Sequence, residues 1–182
     1  MKKLLSDKIV NIAPSGIRKF FDIVSEMPEA ISLGVGEPDF DTPWRIREEG
    51  IYSLERGRTF YTSNSGLIEL RQTICDYSRR KYNLDYNEKE CLVTIGGSEA
   101  IDIAFRAILN LGDEVIVVQP CFVSYAPCVI LAGGTPVYLN LSVENEFKLT
   151  VEALERVVTD KTKAIIMAYP NNPTGAIMTK EE

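Results

Sequence analysis

The stretch Thr94-Ile95-Gly96-Gly97-Ser98-Glu99 joins a short β-branched run to a helical pattern. A strand-to-helix turn of this composition can hold an anion. The first turn of a helix carries N–H groups without intrahelical partners, together with the positive end of the helix dipole. Two glycines let the backbone come close to a phosphate, and the Ser98 hydroxyl adds a donor. The same residues also suit a plain tight turn. They spell neither G-x-G-x-x-G nor G-K-[ST], which speaks against a dinucleotide or a nucleoside triphosphate. A second candidate is Tyr169-Pro170-Asn171-Asn172-Pro173-Thr174-Gly175, at the carboxyl end of a strand, where open α/β sheets take ligands. Asn and Pro are equally at home in an ordinary turn. Phe122 and Tyr125 follow a third strand end, Gln119-Pro120, and can stack on a planar ring or fill a core. A phosphate cradle, an aromatic face and an amide at three strand ends together suit a flat, phosphorylated ligand.

Other chemistries are closed off by composition. The chain contains no histidine, which removes Ser-His triads, His-ligated metal sites and imidazole acid–base catalysis. No metal is expected. With 20 basic and 26 acidic residues the net charge is −6, an acidic balance that argues against nucleic acid as a partner. Cys75, Cys91, Cys121 and Cys128 form no C-x-x-C pair and read as reduced, mostly buried thiols of a cytoplasmic protein. The basic start Met1-Lys2-Lys3-Leu4-Leu5 runs into Ser6-Asp7-Lys8, too soon for a signal peptide. No apolar stretch approaches the ~20 residues that span a bilayer, so no membrane partner is expected.

The elements that must carry these residues can be placed from periodicity. The first ~40 residues read as an arm punctuated by Pro and Gly. Thr42-Pro43 predicts a helix start, with Thr42 as cap and Pro43 in the first helical position, running through Ile46 and Leu54 to Gly57. Leu67, Leu70, Ile74 and Tyr77 recur at helical spacing after Gly66. Strands and helices then alternate. Strands are predicted at Cys91–Ile95, Val115–Val118, Pro136–Leu141 and Ala164–Tyr169, with helices at Ser98–Leu111, Val123–Ala132 and Thr150–Val158. Thr150 serves as a cap, with Leu149 and Leu154 as its hydrophobic staple. The pattern predicts an α/β fold: a three-layer α/β/α domain with a mostly parallel sheet, preceded by an N-terminal arm. The ending, Thr179-Lys180-Glu181-Glu182, reads as the start of another helix and hence as a fragment of a longer chain.

Five segments in order resemble the N-terminal part of the fold-type-I, pyridoxal-phosphate-dependent aminotransferases of classes I and II. They are Gly34-Val35-Gly36-Glu37-Pro38-Asp39-Phe40-Asp41-Thr42-Pro43; Tyr61-Thr62 ahead of Gly66 and Leu70-Arg71; Gly96-Gly97-Ser98-Glu99-Ala100; Gly112-Asp113-Glu114-Val115; and Asn171-Asn172-Pro173-Thr174-Gly175. The resemblance covers nearly the whole chain from about Ile31. It implies pyridoxal 5'-phosphate as cofactor, held at its phosphate by the amides around Gly97, Ser98 and Glu99. By the same resemblance Phe122 stacks on the pyridine ring and Asn172 bonds the phenolic oxygen. Gly36 meets the substrate carboxylate through its N–H, and Ile17 lines a substrate pocket. Tyr61 reaches the phosphate of a neighbouring subunit, which implies a homodimer with shared active sites. Residues 1–45 become the arm and substrate-facing segment, and 46–182 the first part of the cofactor-binding large domain.

The family's Schiff-base lysine falls beyond Glu182, as do the aspartate at the pyridinium nitrogen and the arginine that clamps the substrate carboxylate. The implied activity is therefore that of a longer parent, an aminotransferase acting between an amino acid and a 2-oxo acid. This chain alone is expected to be inactive. A C–S β-lyase of the same fold shares the cofactor cradle and stays open as an alternative. A non-catalytic aminotransferase-like ligand-binding module is a further one, although such modules follow a DNA-binding domain and Gly34 comes early for that.

Overall fold

The computed structural model describes residues 4–14, 16, 23–24, 26–27, 29, 31, 36 and 38–182. In chain order the regular elements are α1 (Asp7–Asn11), α2 (Trp44–Glu55), α3 (Ile68–Tyr82), α4 (Gly96–Ile108), β1 (Glu114–Gln119), α5 (Tyr125–Ala132), β2 (Thr135–Asn140), α6 (Val151–Glu155) and β3 (Thr162–Ile166). The chain divides into two compact units, Met1–Pro14 with Ile95–Glu182, and Ser15–Thr94.

The larger unit is built on one strand. β1 lies between β2 and β3, and both pairings are parallel. Successive side chains of a strand point to opposite faces, so a strand covered on both sides must be apolar throughout. β1 meets that condition: Val115, Ile116, Val117 and Val118 are all buried. Val115 and Val117 pack with Phe105 and Leu109 at the α4 end and with Tyr125, Cys128 and Val129 of α5. Ile116 and Val118 pack on the opposite face with Leu139 and with Leu149, Ala153 and Leu154 around α6. Each fully buried aliphatic side chain contributes about 1.5–3 kcal/mol. Helices thus cover both faces of a parallel sheet, the predicted three-layer α/β/α arrangement. Thr150 caps α6 by accepting the Ala153 N–H at 3.2 Å, and both leucines of the predicted staple join the core.

Several predicted limits move. Cys91–Ile95 is extended in part but pairs in no ladder among the described residues. Extended backbone becomes a strand only with a partner, and the Val93 N–H is spent on Ser65 O at 3.1 Å. Pro43 stands at the helix cap rather than inside it: its ψ of 137° keeps it out of the helix, while its carbonyl accepts Ile46 N–H at 2.9 Å. α4 starts at Gly96 and stops at Ile108, before the predicted Leu111, because Leu109 turns extended and the Asp113 carboxylate accepts the Asn110 N–H at 2.8 Å. α5 begins at Tyr125, α6 ends at Glu155, and β3 covers only Thr162–Ile166.

In the second unit, α2 ends in a Schellman motif. Gly57 N–H donates to Leu54 O at 2.9 Å and Arg58 N–H to Ser53 O at 3.0 Å, with Gly57 at φ +66°. The loop that follows closes at Gly66 (φ +95°), where a Cβ would stand 2.8 Å from the Val93 Cβ. Val93 N–H donates to Ser65 O at 3.1 Å, and Arg71 Nε donates to Gly66 O at 3.2 Å. The loop 58–65, which carries Tyr61, is therefore fixed at both ends.

Candidate functional site

β1 and β3 are adjacent and parallel, so the segments leaving them emerge at the same edge of the sheet. The segment after β1 carries Phe122, and the segment after β3 carries Asn171 and Asn172. Asn171 is 9% exposed and joins the two. Its Nδ2 donates to Pro120 O at 3.1 Å, while its Oδ1 accepts from Thr174 N–H at 3.2 Å and from Thr174 Oγ1 at 3.1 Å. Its N–H donates to Ala176 O at 2.8 Å. A buried amide satisfied at both ends holds two loops in register. Asn172, the next residue, is exposed, and its side chain makes no hydrogen bond among the described residues.

The start of α4 joins the same cluster. The hydroxyls of Ser98 and Ser124 are hydrogen-bonded at 3.3 Å, and the Cys128 thiol donates to Ser98 O at 3.8 Å. The Ile95 N–H donates to the Glu99 carboxylate. What Glu99 can offer an anion is therefore its backbone amide and not its side chain. At Gly97 no atom lies within 4 Å of where a Cβ would stand, so the space at the helix start is open. Phe122 is half-buried and meets the Tyr125 ring edge-on, with centroids 5.9 Å apart at 79°.

Burial pushes the Cys121 and Cys128 thiols and the Tyr125 phenol above their ordinary values. For Cys128, Asp102 adds to the rise and Arg106 opposes it. All three stay protonated at neutral pH, offering dipoles and apolar surface rather than a thiolate. Among the described residues no group of Cys, Asp or Glu is placed to hold a metal ion. The arrangement can bind and orient a flat anion.

The structure brings together Gly97, Ser98, Glu99, Phe122 and the loop of Asn172. Tyr61 and Gly36 belong to the other compact unit. Tyr61 is fully exposed on the loop between α2 and α3, and Gly36 is exposed with open space where a Cβ would stand. Ile17, with Gly34, Val35 and Glu37 of the first motif, lies outside the described residues. Sequence reasoning included Asn171 in the motif without giving it a role and passed over Ser124; both hold the site together. Within an Asn-Asn doublet no local signal distinguishes the buried amide from the free one.

The family model for aminotransferase class I and II matches residues 28–182. The chain belongs to the class I and II aminotransferases. It is 46% identical to the aspartate aminotransferase of Pyrococcus abyssi and 44% identical to aromatic-amino-acid aminotransferase 2 of Thermococcus litoralis, in each case over 98% of this chain and 46% of the relative. Among solved structures, the aspartate aminotransferase from Thermus thermophilus with maleate superposes with a TM-score of 0.92 at 37% identity, over 98% of this chain and 48% of that one. The chain thus spans about half the length of the relatives it matches. Class I and II aminotransferases use pyridoxal 5'-phosphate. The residues described here fit that group: an open helix start for the phosphate, an aromatic ring, and an exposed amide with no other partner. No described helix of this aminotransferase chain is long and apolar enough to cross a membrane.

Proposed function

We propose that the chain is the N-terminal portion of a pyridoxal-phosphate-dependent aminotransferase that transfers an amino group between an amino acid and a 2-oxo acid. The observation that carries this reading is the convergence of the α4 start, Phe122 and the Asn172 loop at one edge of the β1–β3 sheet, tied by Asn171 and by the Ser98–Ser124 bond. When bound, the cofactor supplies an electron sink for the bonds at the substrate α-carbon. The chain's own residues bind and orient it. The amides of Gly97, Ser98 and Glu99 face the phosphate with the positive end of α4. The Phe122 ring takes one face of the pyridine. The Asn172 side-chain N–H donates to the phenolic oxygen and favours its deprotonated form.

The same reading gives the Gly36 N–H the substrate carboxylate, Ile17 a place in the substrate pocket, and Tyr61 the phosphate of the partner in a homodimer with shared sites. Residues 1–45 form the arm and substrate-facing segment, and 46–182 open the cofactor-binding large domain. The free thiols accord with a cytoplasmic protein. Amine attachment of the cofactor falls to a lysine beyond residue 182, so the 182-residue chain alone should show no amino-acid-dependent turnover.

Titration of the full-length apo-protein with pyridoxal 5'-phosphate tests the cradle. A β-branched side chain at residue 97 would fill the open space at the helix start, so Gly97→Val should raise the dissociation constant while leaving the far-UV spectrum intact. An unchanged constant would move the phosphate elsewhere.

A further inference from the structure

We propose that Arg58 is a second anchor for the anion assigned to Tyr61, a guanidinium delivered by the same loop to the phosphate of the partner's cofactor; this rests on the reading of Tyr61 given above. Arg58 and Tyr61 line one hollow of about 620 Å³ in the second unit, with Ser53 and Thr62 beside them. Three other arginines of this unit are already engaged, and Arg45 on α2, which has no partner among the described residues, does not line the hollow. Arg47 lies over the Trp44 ring and 3.5 Å from Asp41, Arg56 covers the Tyr52 ring at 4.8 Å, and Arg71 donates to the Gly66 and Glu88 carbonyls. The Arg58 guanidinium has no such partner among the described residues, although Glu69 lines the same hollow.

An unpaired arginine on a mobile tail would mean little, but this backbone is pinned. The Arg58 N–H closes the Schellman motif onto Ser53 O, and Gly57 supplies the left-handed residue that the motif needs. Three residues on, Tyr61 stands fully exposed on a loop fastened again at Gly66. A phenol and a guanidinium presented together match a phosphate dianion, because arginine donates through a rigid fork and keeps its charge at any working pH.

The test compares apo-forms of the full-length wild type, Arg58→Gln, Arg58→Lys and Tyr61→Phe, titrated with pyridoxal 5'-phosphate and, separately, with pyridoxal, which has no phosphate. Arg58→Gln should weaken pyridoxal 5'-phosphate by roughly tenfold or more, the scale of one lost charge-assisted hydrogen bond. Arg58→Lys should fall between, and pyridoxal binding should not change. If Tyr61→Phe weakens the phosphate form and Arg58→Gln does not, the Arg58 assignment is overturned and the Tyr61 reading stands. If neither variant matters, both fall. Equal weakening toward both ligands would make Arg58 a structural residue and also overturn the assignment.

Discussion

Asn171 and Asn172 are chemically identical neighbours with opposite tasks. Asn171 is buried and spends its amide on Pro120 O and Thr174; Asn172 is exposed and spends none. Removing a buried group that satisfies several partners costs about 1–3 kcal/mol, because the partners left behind stay desolvated. Asn171→Ala should therefore lower the unfolding free energy read from urea titration by that amount, while Asn172→Ala should leave it within about 0.5 kcal/mol. The order reverses for the bound cofactor. On the proposed reading, loss of the Asn172 donor should raise the pKa of the cofactor's phenolic group, since a hydrogen bond donated to that oxygen favours its charged form. A pH titration of the visible absorbance in the full-length protein reads this shift. Coincident curves for wild type and Asn172→Ala would leave Asn172 as turn chemistry. The motif itself was legible in the sequence from its place at a strand end and its resemblance to the family's pattern, since its residue types alone suit an ordinary turn. The division of labour inside it was not, since it depends on Pro120, 51 residues earlier in the chain.

At the scale of elements, the loop carrying Arg58 and Tyr61 is bracketed by two glycines with different reasons to be glycine. Gly57 has a left-handed φ but nothing within 4 Å of a Cβ. Gly57→Ala should cost only the backbone penalty, about 1–2 kcal/mol. Gly66 has the left-handed φ and, in addition, the Val93 Cβ at 2.8 Å, so Gly66→Ala should be the more damaging of the two. Thermal melts of both variants check the ranking, and pairing Gly66→Ala with Val93→Gly, which removes both the Cβ at 2.8 Å and the Cγ2 at 2.9 Å, should relieve the contact and leave the backbone penalties. Helices α2 and α3 were readable from spacing and from the Gly residues that bound them. Cys91–Ile95 shows the limit: its β-branched residues favour extended backbone, yet strand formation is a property of two segments, and propensity reports on one.

For the whole molecule, the apolar run of β1 made the layered fold readable, since only a strand covered on both faces can be apolar at four successive positions. The same sheet has a further consequence, in colloidal behaviour. β1 is saturated by its two neighbours, but β2 and β3 each have one ladder partner among the described residues, which leaves an outer row of N–H and C=O groups on either side. Ile165 on β3 and Tyr138 on β2 are also exposed, at 42% and 47%. Unprotected edges with apolar side chains template strand addition from other molecules. The 182-residue chain prepared alone should therefore self-associate as its concentration rises, and Ile165→Lys should delay the onset, as followed by light scattering and sedimentation. A chain that stays monomeric across that range would show its edges to be guarded. Self-association relieved by the lysine would mean that the boundary of the sheet, rather than its core, sets how this chain behaves by itself.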